Sequence, residues 1–168
     1  MIRPRAGMSL VETVVAIAVL GIIGAVSLPL LYASGETYAA ARTARIATDH
    51  AAFALDRALR LLRDVPGDTE AGTVELALAE SDRVHFLDGR GLEFHQETLW
   101  LRTTDETLAP LLRNVTNVAF RYLDHDGVTL MHAELSKTHR FEIRLTCSGL
   151  TLHGTAFARV RMLTPEAP

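Results

Sequence analysis

A long apolar run near the N-terminus constrains this chain more than any other feature. Residues 8–32, MSLVETVVAIAVLGIIGAVSLPLLY, contain one side chain that is charged at neutral pH, Glu12. As a helix, the run would extend roughly 37 Å at about 1.5 Å per residue, enough to cross a bilayer core of about 30 Å. Because Arg3 and Arg5 precede the run, the positive-inside rule predicts a cytoplasmic N-terminus and an extracytoplasmic remainder.

The residues of this run leave three interpretations open. A cleaved signal peptide is disfavoured, because the run is long and no clear A-x-A site follows it. A plain signal anchor accounts for the length but not for Glu12, since a carboxylate inside a membrane helix costs about 2.5–3.5 kcal/mol. A membrane helix with a functional carboxylate explains both features.

The residues around Glu12 resemble a known processing motif. The sequence GMSLVE, residues 7–12, is similar to the prepilin peptidase motif of type IV pilins and type II secretion pseudopilins. The resemblance implies that residues 1–7 are a leader cut off after Gly7, that Met8 is then N-methylated, and that Glu12 becomes fifth in the mature chain. Two positions depart from the usual pattern, since the family usually has phenylalanine and then threonine after the glycine.

The same resemblance implies a role for Glu12 in assembly. The methylated ammonium of a neighbouring subunit's Met8 would pair with Glu12 in the apolar filament core and set the axial register between subunits. Either charge alone would be penalised by desolvation, so pairing makes physical sense. The alternative is that Glu12, near the helix end, only snorkels to the lipid headgroups.

Gly21, Gly24 and Pro29 interrupt the apolar run. Proline removes one helical hydrogen bond and crowds the preceding turn. In pilin-like subunits the helix partly melts between the matching glycine and proline in the filament, which the resemblance places at residues 21–29. The alternative is helix–helix packing through small residues, and the two roles are compatible.

The helical pattern resumes after the apolar run. Ala51, Leu55, Ala58 and Leu62 recur on one helical face, which predicts an extracytoplasmic amphipathic helix over residues 33–65 that packs on a sheet. Pro66 and Gly67 follow, so we expect the helix to stop at Val65. A separate helix after a break at Gly35 is the alternative.

Residues 66–168 predict a β-rich globular domain of about six mostly antiparallel strands. A three-strand meander covers residues 84–101, a loop leads through Pro110, and a strand ends at Tyr122 before the turn 124–127. Two further strands flank Ser148-Gly149, the last over residues 150–162. The sequence therefore predicts an α+β, pilin-like fold in which a long N-terminal helix packs on this domain.

Patterns typical of enzymes are missing from the sequence. It has no GxSxG nucleophile motif, no HExxH zinc spacing and no glycine-rich phosphate loop. Its seven histidines are scattered, and Cys147 is the only cysteine, so no internal disulfide forms. Residues 124–127, DHDG, resemble the start of a calcium loop but lack the closing glutamate, which favours a hairpin turn. We expect no catalytic residue, no metal site and no cofactor.

Charge gives little support for nucleic-acid binding. The formal net charge is −3, so no global basic field attracts nucleic acid. Arg140, Arg144, Arg159 and Arg161 lie on the last two predicted strands and could form a basic strip, but Glu142 interrupts it. A solvated sheet face is the favoured interpretation, and we expect no nucleic-acid partner.

Together these features predict a structural subunit and not an enzyme. The resemblance implies a minor pseudopilin or pilin of a type II secretion pseudopilus or type IV pilus-like filament. Its partners would be prepilin peptidase, other pilin or pseudopilin subunits and an inner-membrane assembly platform. It would cross the bacterial inner membrane once, with its C-terminal domain in the periplasm, before entering the filament.

The kind of subunit follows from two residues. Glu12 argues against the tip pseudopilin that lacks this glutamate, and the single Cys147 argues against a disulfide-closed major pilin. Residues 111–127 also resemble the corresponding layout of J-type minor pseudopilins and related pilus-assembly minor pilins. The alternatives are a minor pilin that acts in adhesion or DNA uptake, and an exported enzyme with an unusual anchor.

Overall fold

The computed structural model describes residues 9–130 and 132–160. Its first element is helix α1, Leu10–Arg63. The chain divides into two compact units, Met1–Arg45 and Ile46–Pro168, and α1 contributes residues to both. The helix runs through Gly35 without interruption, so the alternative of a break there is wrong. It ends at Arg63 rather than Val65, because the ring of Pro66 disfavours helical geometry in the residue before it.

The part of α1 in the second unit has the predicted apolar face. Its buried residues are Ala51, Ala54, Leu55, Ala58 and Leu62. On the exposed side, Arg60 Nε lies 2.9 Å from Asp56 Oδ2, one helical turn away. The spacing of the apolar residues thus correctly predicted which side of this segment faces the sheets.

The second unit also contains ten strands and one short 3-10 helix among the described residues. The strands are β1 (Gly67–Asp68), β2 (Thr73–Val74), β3 (Leu76–Ala79), β4 (Arg83–Phe86), β5 (Gly91–His95), β6 (Thr98–Arg102), β7 (Leu108–Arg113), β8 (Val115–Leu123), β9 (Arg140–Cys147) and β10 (Leu150–Phe157). The 3-10 helix is His132–Lys137.

These strands form three sheets. One has the order β3-β4-β5-β6-β7, one the order β10-β9-β8, and β1 pairs with β2. Every named strand pair is antiparallel. The expected α+β, pilin-like arrangement of one long helix and antiparallel sheets is confirmed.

The predicted number of six strands is wrong. The meander over residues 84–101 is present as β4–β6, but it belongs to a larger sheet. Pro110 lies inside β7 and not in a loop, which the sheet tolerates because β7 is an edge strand with one free side. The last strand ends at Phe157, and Met162, its expected end, lies outside the described residues.

The predicted turns are confirmed. Ser148 and Gly149 have φ of 49° and 77°, as a two-residue hairpin loop with two positive φ angles requires. Gln96 and Glu97 do the same between β5 and β6, with φ of 50° and 54°. At residues 124–127 the Asp124 carboxylate accepts a hydrogen bond from the Val128 N–H at 2.8 Å, which closes a hairpin turn.

A single apolar cluster holds the second unit together. It joins the buried face of α1 to inward-facing residues of both larger sheets, among them Phe86, Leu92, Phe120 and Ile143. The Tyr122 hydroxyl on β8 donates to the Glu80 carbonyl at 2.9 Å, which connects the three-stranded sheet to the β3–β4 turn of the other.

Candidate functional site at the N-terminus

Ser9 and Glu12 form a reciprocal cap at the start of α1. The Glu12 N–H donates to Ser9 Oγ at 3.2 Å, and the Ser9 N–H donates to Glu12 Oε2 at the same distance. The Ser9 carbonyl accepts the first helical hydrogen bond, from the Thr13 N–H at 3.1 Å. This arrangement is a capping box, which satisfies two main-chain donors that a helix start leaves free. The sequence reasoning missed it, although S-x-x-E before an apolar run is its signature.

The cap gives Glu12 a function within its own chain. The carboxylate is exposed and lies in the first turn of α1, where the helix dipole stabilises a negative charge. Gly7 and Met8, the predicted cleavage and methylation residues, lie outside the described residues. The Glu12 carboxylate lies 3.2 Å from the main-chain nitrogen of Ser9, the residue that follows Met8 in the sequence.

The surface of α1 beyond the cap is apolar and uncovered. Leu10, Leu20 and Leu31 are 83%, 67% and 68% exposed. Among the described residues, α1 is the one helix long and apolar enough to span a membrane, and none of its most apolar stretch is buried within the protein. An uncovered apolar surface of this kind is stable in contact with lipid or with other apolar helices, and unfavourable in contact with water.

Gly21 and Gly24 lie on this surface without a packing role in their own unit. A Cβ added to either glycine would meet no heavy atom within 4 Å. Glycines on a membrane helix leave shallow positions where the backbone of a second helix approaches closely. The structure therefore allows the predicted helix–helix packing through these two residues.

Pro29 lies inside a continuous stretch of α1. Because proline has no N–H, the Ala25 carbonyl four residues earlier lacks its usual helical donor. Residues 21–29 are helical in the isolated chain. Melting of this segment in a filament stays a prediction.

Polar residues appear after the apolar run without breaking the helix. The Ser34 hydroxyl donates to the Leu30 carbonyl at 2.7 Å, and the Thr37 hydroxyl donates to the Ala33 carbonyl at 2.8 Å. Each hydroxyl is thus satisfied by the preceding helical turn. The O–H donors of these side chains are therefore paired without water.

The arginines of the second unit do not form the basic strip considered above. Arg140 is half-buried and Arg144 is exposed on β9, whereas Arg159 lies beyond β10, 3.8 Å from a carboxylate oxygen of Asp64. Glu142 lies between the two β9 arginines and pairs with Arg121 at 3.2 Å. Arg161 lies outside the described residues. The described sheet face is mixed in charge.

Other candidate chemistry in the second unit is structural. In residues 9–130 and 132–160, no three histidine, cysteine or carboxylate side chains are grouped so that they could hold a metal ion. Asp124 closes its turn, as described above. Cys147 is buried in the sheet, and burial raises the pKa of its thiol.

Comparison with known proteins agrees with the N-terminal segment. A family profile described as the prokaryotic N-terminal methylation motif matches residues 2–28. That stretch includes the predicted cut after Gly7 and the capping carboxylate of Glu12. No curated protein matches the chain. The motif, the membrane-capable helix and the antiparallel sheets support a type IV pilin-like protein, a class of prepilin peptidase substrates.

Proposed function

We propose that this chain is a structural minor subunit of a type II secretion pseudopilus or a type IV pilus-like filament. The observation that supports this most strongly is the methylation motif at residues 2–28. The motif overlaps the capped start of α1, whose most apolar stretch is uncovered. Prepilin peptidase cuts between Gly7 and Met8, and Met8 is methylated. The protein acts through assembly and not through catalysis.

The physical chemistry of α1 supports a membrane-bound precursor. Before assembly, the apolar half of the helix lies in the inner membrane, with its N-terminus in the cytoplasm and the β-rich unit in the periplasm. In the filament, helices of neighbouring subunits replace the lipid around the same surface, with close approach at Gly21 and Gly24. The other pilin subunits and the inner-membrane assembly platform are the partners in this step.

Glu12 has two alternative partners in this scheme. In the isolated chain its carboxylate caps α1 through Ser9. In the filament it pairs with the methylated ammonium of a neighbouring subunit's Met8, because both charges then lie in an apolar core where an unpaired charge is costly. That pairing sets the axial register. The single cysteine argues against a disulfide-closed major pilin, and Glu12 argues against the tip pseudopilin that lacks this glutamate.

Processing is tested by the intact mass and N-terminal sequence of the protein from bacterial membranes. Cells with and without prepilin peptidase are compared. We expect a chain that starts at N-methyl-Met8 only when the peptidase is present. A chain that starts at Met1 in both strains, or one cut after Ala33, would refute the proposed function.

The two functions of Glu12 are separated by matched variants. Glu12→Gln keeps an oxygen that can cap the helix but removes the charge, whereas Ser9→Ala weakens the cap and keeps the charge. We expect Glu12→Gln to be processed but to fail in filament assembly, and Ser9→Ala to assemble. Assembly of Glu12→Gln at the wild-type level would show that the carboxylate serves only as a cap.

A further inference from the structure

The edge strands of the two larger sheets differ in how far they are protected against pairing with a further strand. An edge strand exposes unpaired main-chain N–H and C=O groups, and proteins blunt such edges with proline, bulges, short strands or covering loops. Edge strand β7 contains Pro110 and pairs irregularly with β6 at Leu99 and Trp100. Edge strand β3 has only four residues and a register shift between Leu76 and Leu78.

The outer edge of β8 is covered by other parts of the unit. The Phe120 N–H donates to the Ser81 carbonyl at 2.7 Å, and the Tyr122 carbonyl accepts from the Leu130 N–H at 2.8 Å. At the start of the strand, the Val115 N–H donates to the Glu97 carbonyl at 2.9 Å. Three of the four edges of the larger sheets are therefore blunted or covered.

Strand β10 is the exception. It has eight residues, LTLHGTAF, with no proline and no acidic or basic residue other than His153. Its register with β9 is continuous from Leu150 to Phe157, without a bulge. A long, regular edge of this kind is a template for a further strand.

The direction of the free groups on β10 follows from the hairpin geometry. The loop at Ser148-Gly149 has two residues, and the Ala158 N–H donates to the His139 carbonyl at 3.0 Å. Together these features determine which residues of β10 form main-chain hydrogen bonds to β9. Residues 150, 152, 154 and 156 face β9, so Thr151, His153, Thr155 and Phe157 direct their main-chain groups outward. Within the described ranges, no main-chain partner meets these outward groups.

The exposed sheet face beside this edge has an uncompensated positive charge. Arg144 on β9 is exposed and lies opposite His153 in register. The nearby Glu142 already pairs with Arg121 at 3.2 Å. A depression of about 240 Å³ is lined by Arg144, His153 and Thr155 and also by the Arg121–Glu142 ion pair. Because the Glu142 carboxylate is already paired there, Arg144 remains as the one charge of the lining without a counter-ion among the described residues.

We propose that β10 is the docking edge for an extended strand of a partner protein with an acidic residue opposite His153. The partner strand would continue the sheet through the outward groups of β10, and its carboxylate would lie in the depression beside Arg144. Neighbouring strands are about 4.8 Å apart, so the acidic residue of the partner strand, two strands from β9, would lie about 10 Å from it. An acidic side chain and an arginine side chain together span that distance.

A second copy of this chain fits the edge less well. Pairing β10 with another β10 would place no carboxylate opposite His153, since β10 has none. It would bring a second Arg144 to the same face, together with a Glu142 that is already paired with its own Arg121. Like charges across an interface oppose association. The inference concerns only the second unit and does not depend on the proposed function.

A photocrosslinking experiment in the native cells tests the docking edge. The full chain carries p-benzoylphenylalanine at Thr151, and crosslinked peptides are mapped by mass spectrometry after irradiation. We expect crosslinks to one extended, acid-containing segment of one partner protein. Arg144→Glu should lower their yield several-fold, because it places a negative charge beside the partner's carboxylate.

Two variants at Thr155 isolate the main-chain contribution. Thr155→Pro removes one outward N–H, which the fold does not use, whereas Thr155→Val keeps it and removes the same hydroxyl. We expect Thr155→Pro to lower the crosslink yield about tenfold, as loss of one hydrogen bond predicts, and Thr155→Val to keep it. If Thr155→Pro fails to fold, Thr155→Lys replaces it, since a charged edge residue also opposes strand docking.

Four results would overturn the inference. The first is no crosslink at all. The second and third are crosslinks only to β10 of a second copy, and crosslinks only to residues 161–168 of the same chain. The fourth is the same crosslink yield from Thr155→Val as from Thr155→Pro, or from Thr155→Lys where that variant replaces it. A failure of Met8 methylation would refute the proposed function and leave these results unaffected.

Discussion

The contact between α1 and β10 at Gly154 gives a quantitative prediction. A Cβ added to Gly154 would lie 2.7 Å from Leu59 Cδ1 and 3.2 Å from Leu59 Cγ. Carbon atoms in favourable contact are about 3.5–4.0 Å apart. Gly154 is not among the residues with positive φ, so steric contact with Leu59, and not backbone strain, decides the effect of Gly154→Ala.

The expected free-energy change can be estimated from two opposing effects. Overpacking costs typically about 1–3 kcal/mol, and the low half of that range applies because Leu59 is half-buried and the end of its side chain can shift. Replacing glycine by alanine also restricts the unfolded chain, which stabilises by about 0.4–1 kcal/mol. We expect Gly154→Ala to lower the free energy of unfolding by about 0–1.6 kcal/mol, with a central value of about 0.8 kcal/mol.

A double-mutant cycle tests this reasoning. Leu59→Ala removes the obstructing carbons, so Gly154→Ala in that background should be neutral or slightly stabilising, with a coupling of about 1–2 kcal/mol. Urea unfolding of the full-length protein in detergent micelles, followed by circular dichroism, measures all four proteins. Gly149→Ala is the control for additivity. Alanine there is strained by the positive φ of 77°, but its added Cβ meets nothing within 4 Å, so its effect should add to that of Leu59→Ala. Additivity of Gly154→Ala and Leu59→Ala within about 0.5 kcal/mol would refute the reasoning.

Two further predictions concern His85 and Tyr122. Burial lowers the pKa of His85 below its ordinary 6.5, with Arg102 and Arg83 acting in the same direction and Glu93 opposing them. Since the unfolded chain then binds a proton more readily, stability should be fully present above about pH 6.5 and should fall as the pH drops through the window below it. Urea unfolding at several pH values should show that the free energy of unfolding falls less steeply with decreasing pH in His85→Gln than in the wild type. The same slope in both proteins would contradict this. Tyr122→Phe removes the donor to the Glu80 carbonyl and should cost about 1–2 kcal/mol, whereas an unchanged thermal midpoint would contradict the role of this bond.

Elements defined by local pattern were predictable from the sequence. The apolar run and the repeated apolar face near Leu62 predicted α1, because helical periodicity can be recognised from residues that are close in sequence. The alternation in residues 84–101 gave the central strands for the same reason. Strand β7 was missed because Pro110 disfavours a strand unless it lies at an edge, and edge position is a property of the whole sheet.

The candidate site was predictable in part. The resemblance identified the position of Glu12, and the S-x-x-E pattern could have indicated the cap with Ser9 that the structure shows. The open edge of β10 was not predictable, because it depends on how the other three edges are blunted or covered. Those features involve distant residues, such as Ser81 beside Phe120.

The hydroxyls that follow the apolar run affect how deeply the helix can sit in a bilayer. Residues 13–35 contain no charged side chain, a length of about 35 Å against a hydrocarbon core of about 30 Å. Because the Ser34 and Thr37 hydroxyls already donate to their own helix, moving Ser34 below the headgroups leaves its O–H donor paired. The helix therefore has about 5 Å of vertical freedom at a cost of fractions of a kcal/mol per Å. A helix of this kind can thus lie at slightly different heights in a bilayer.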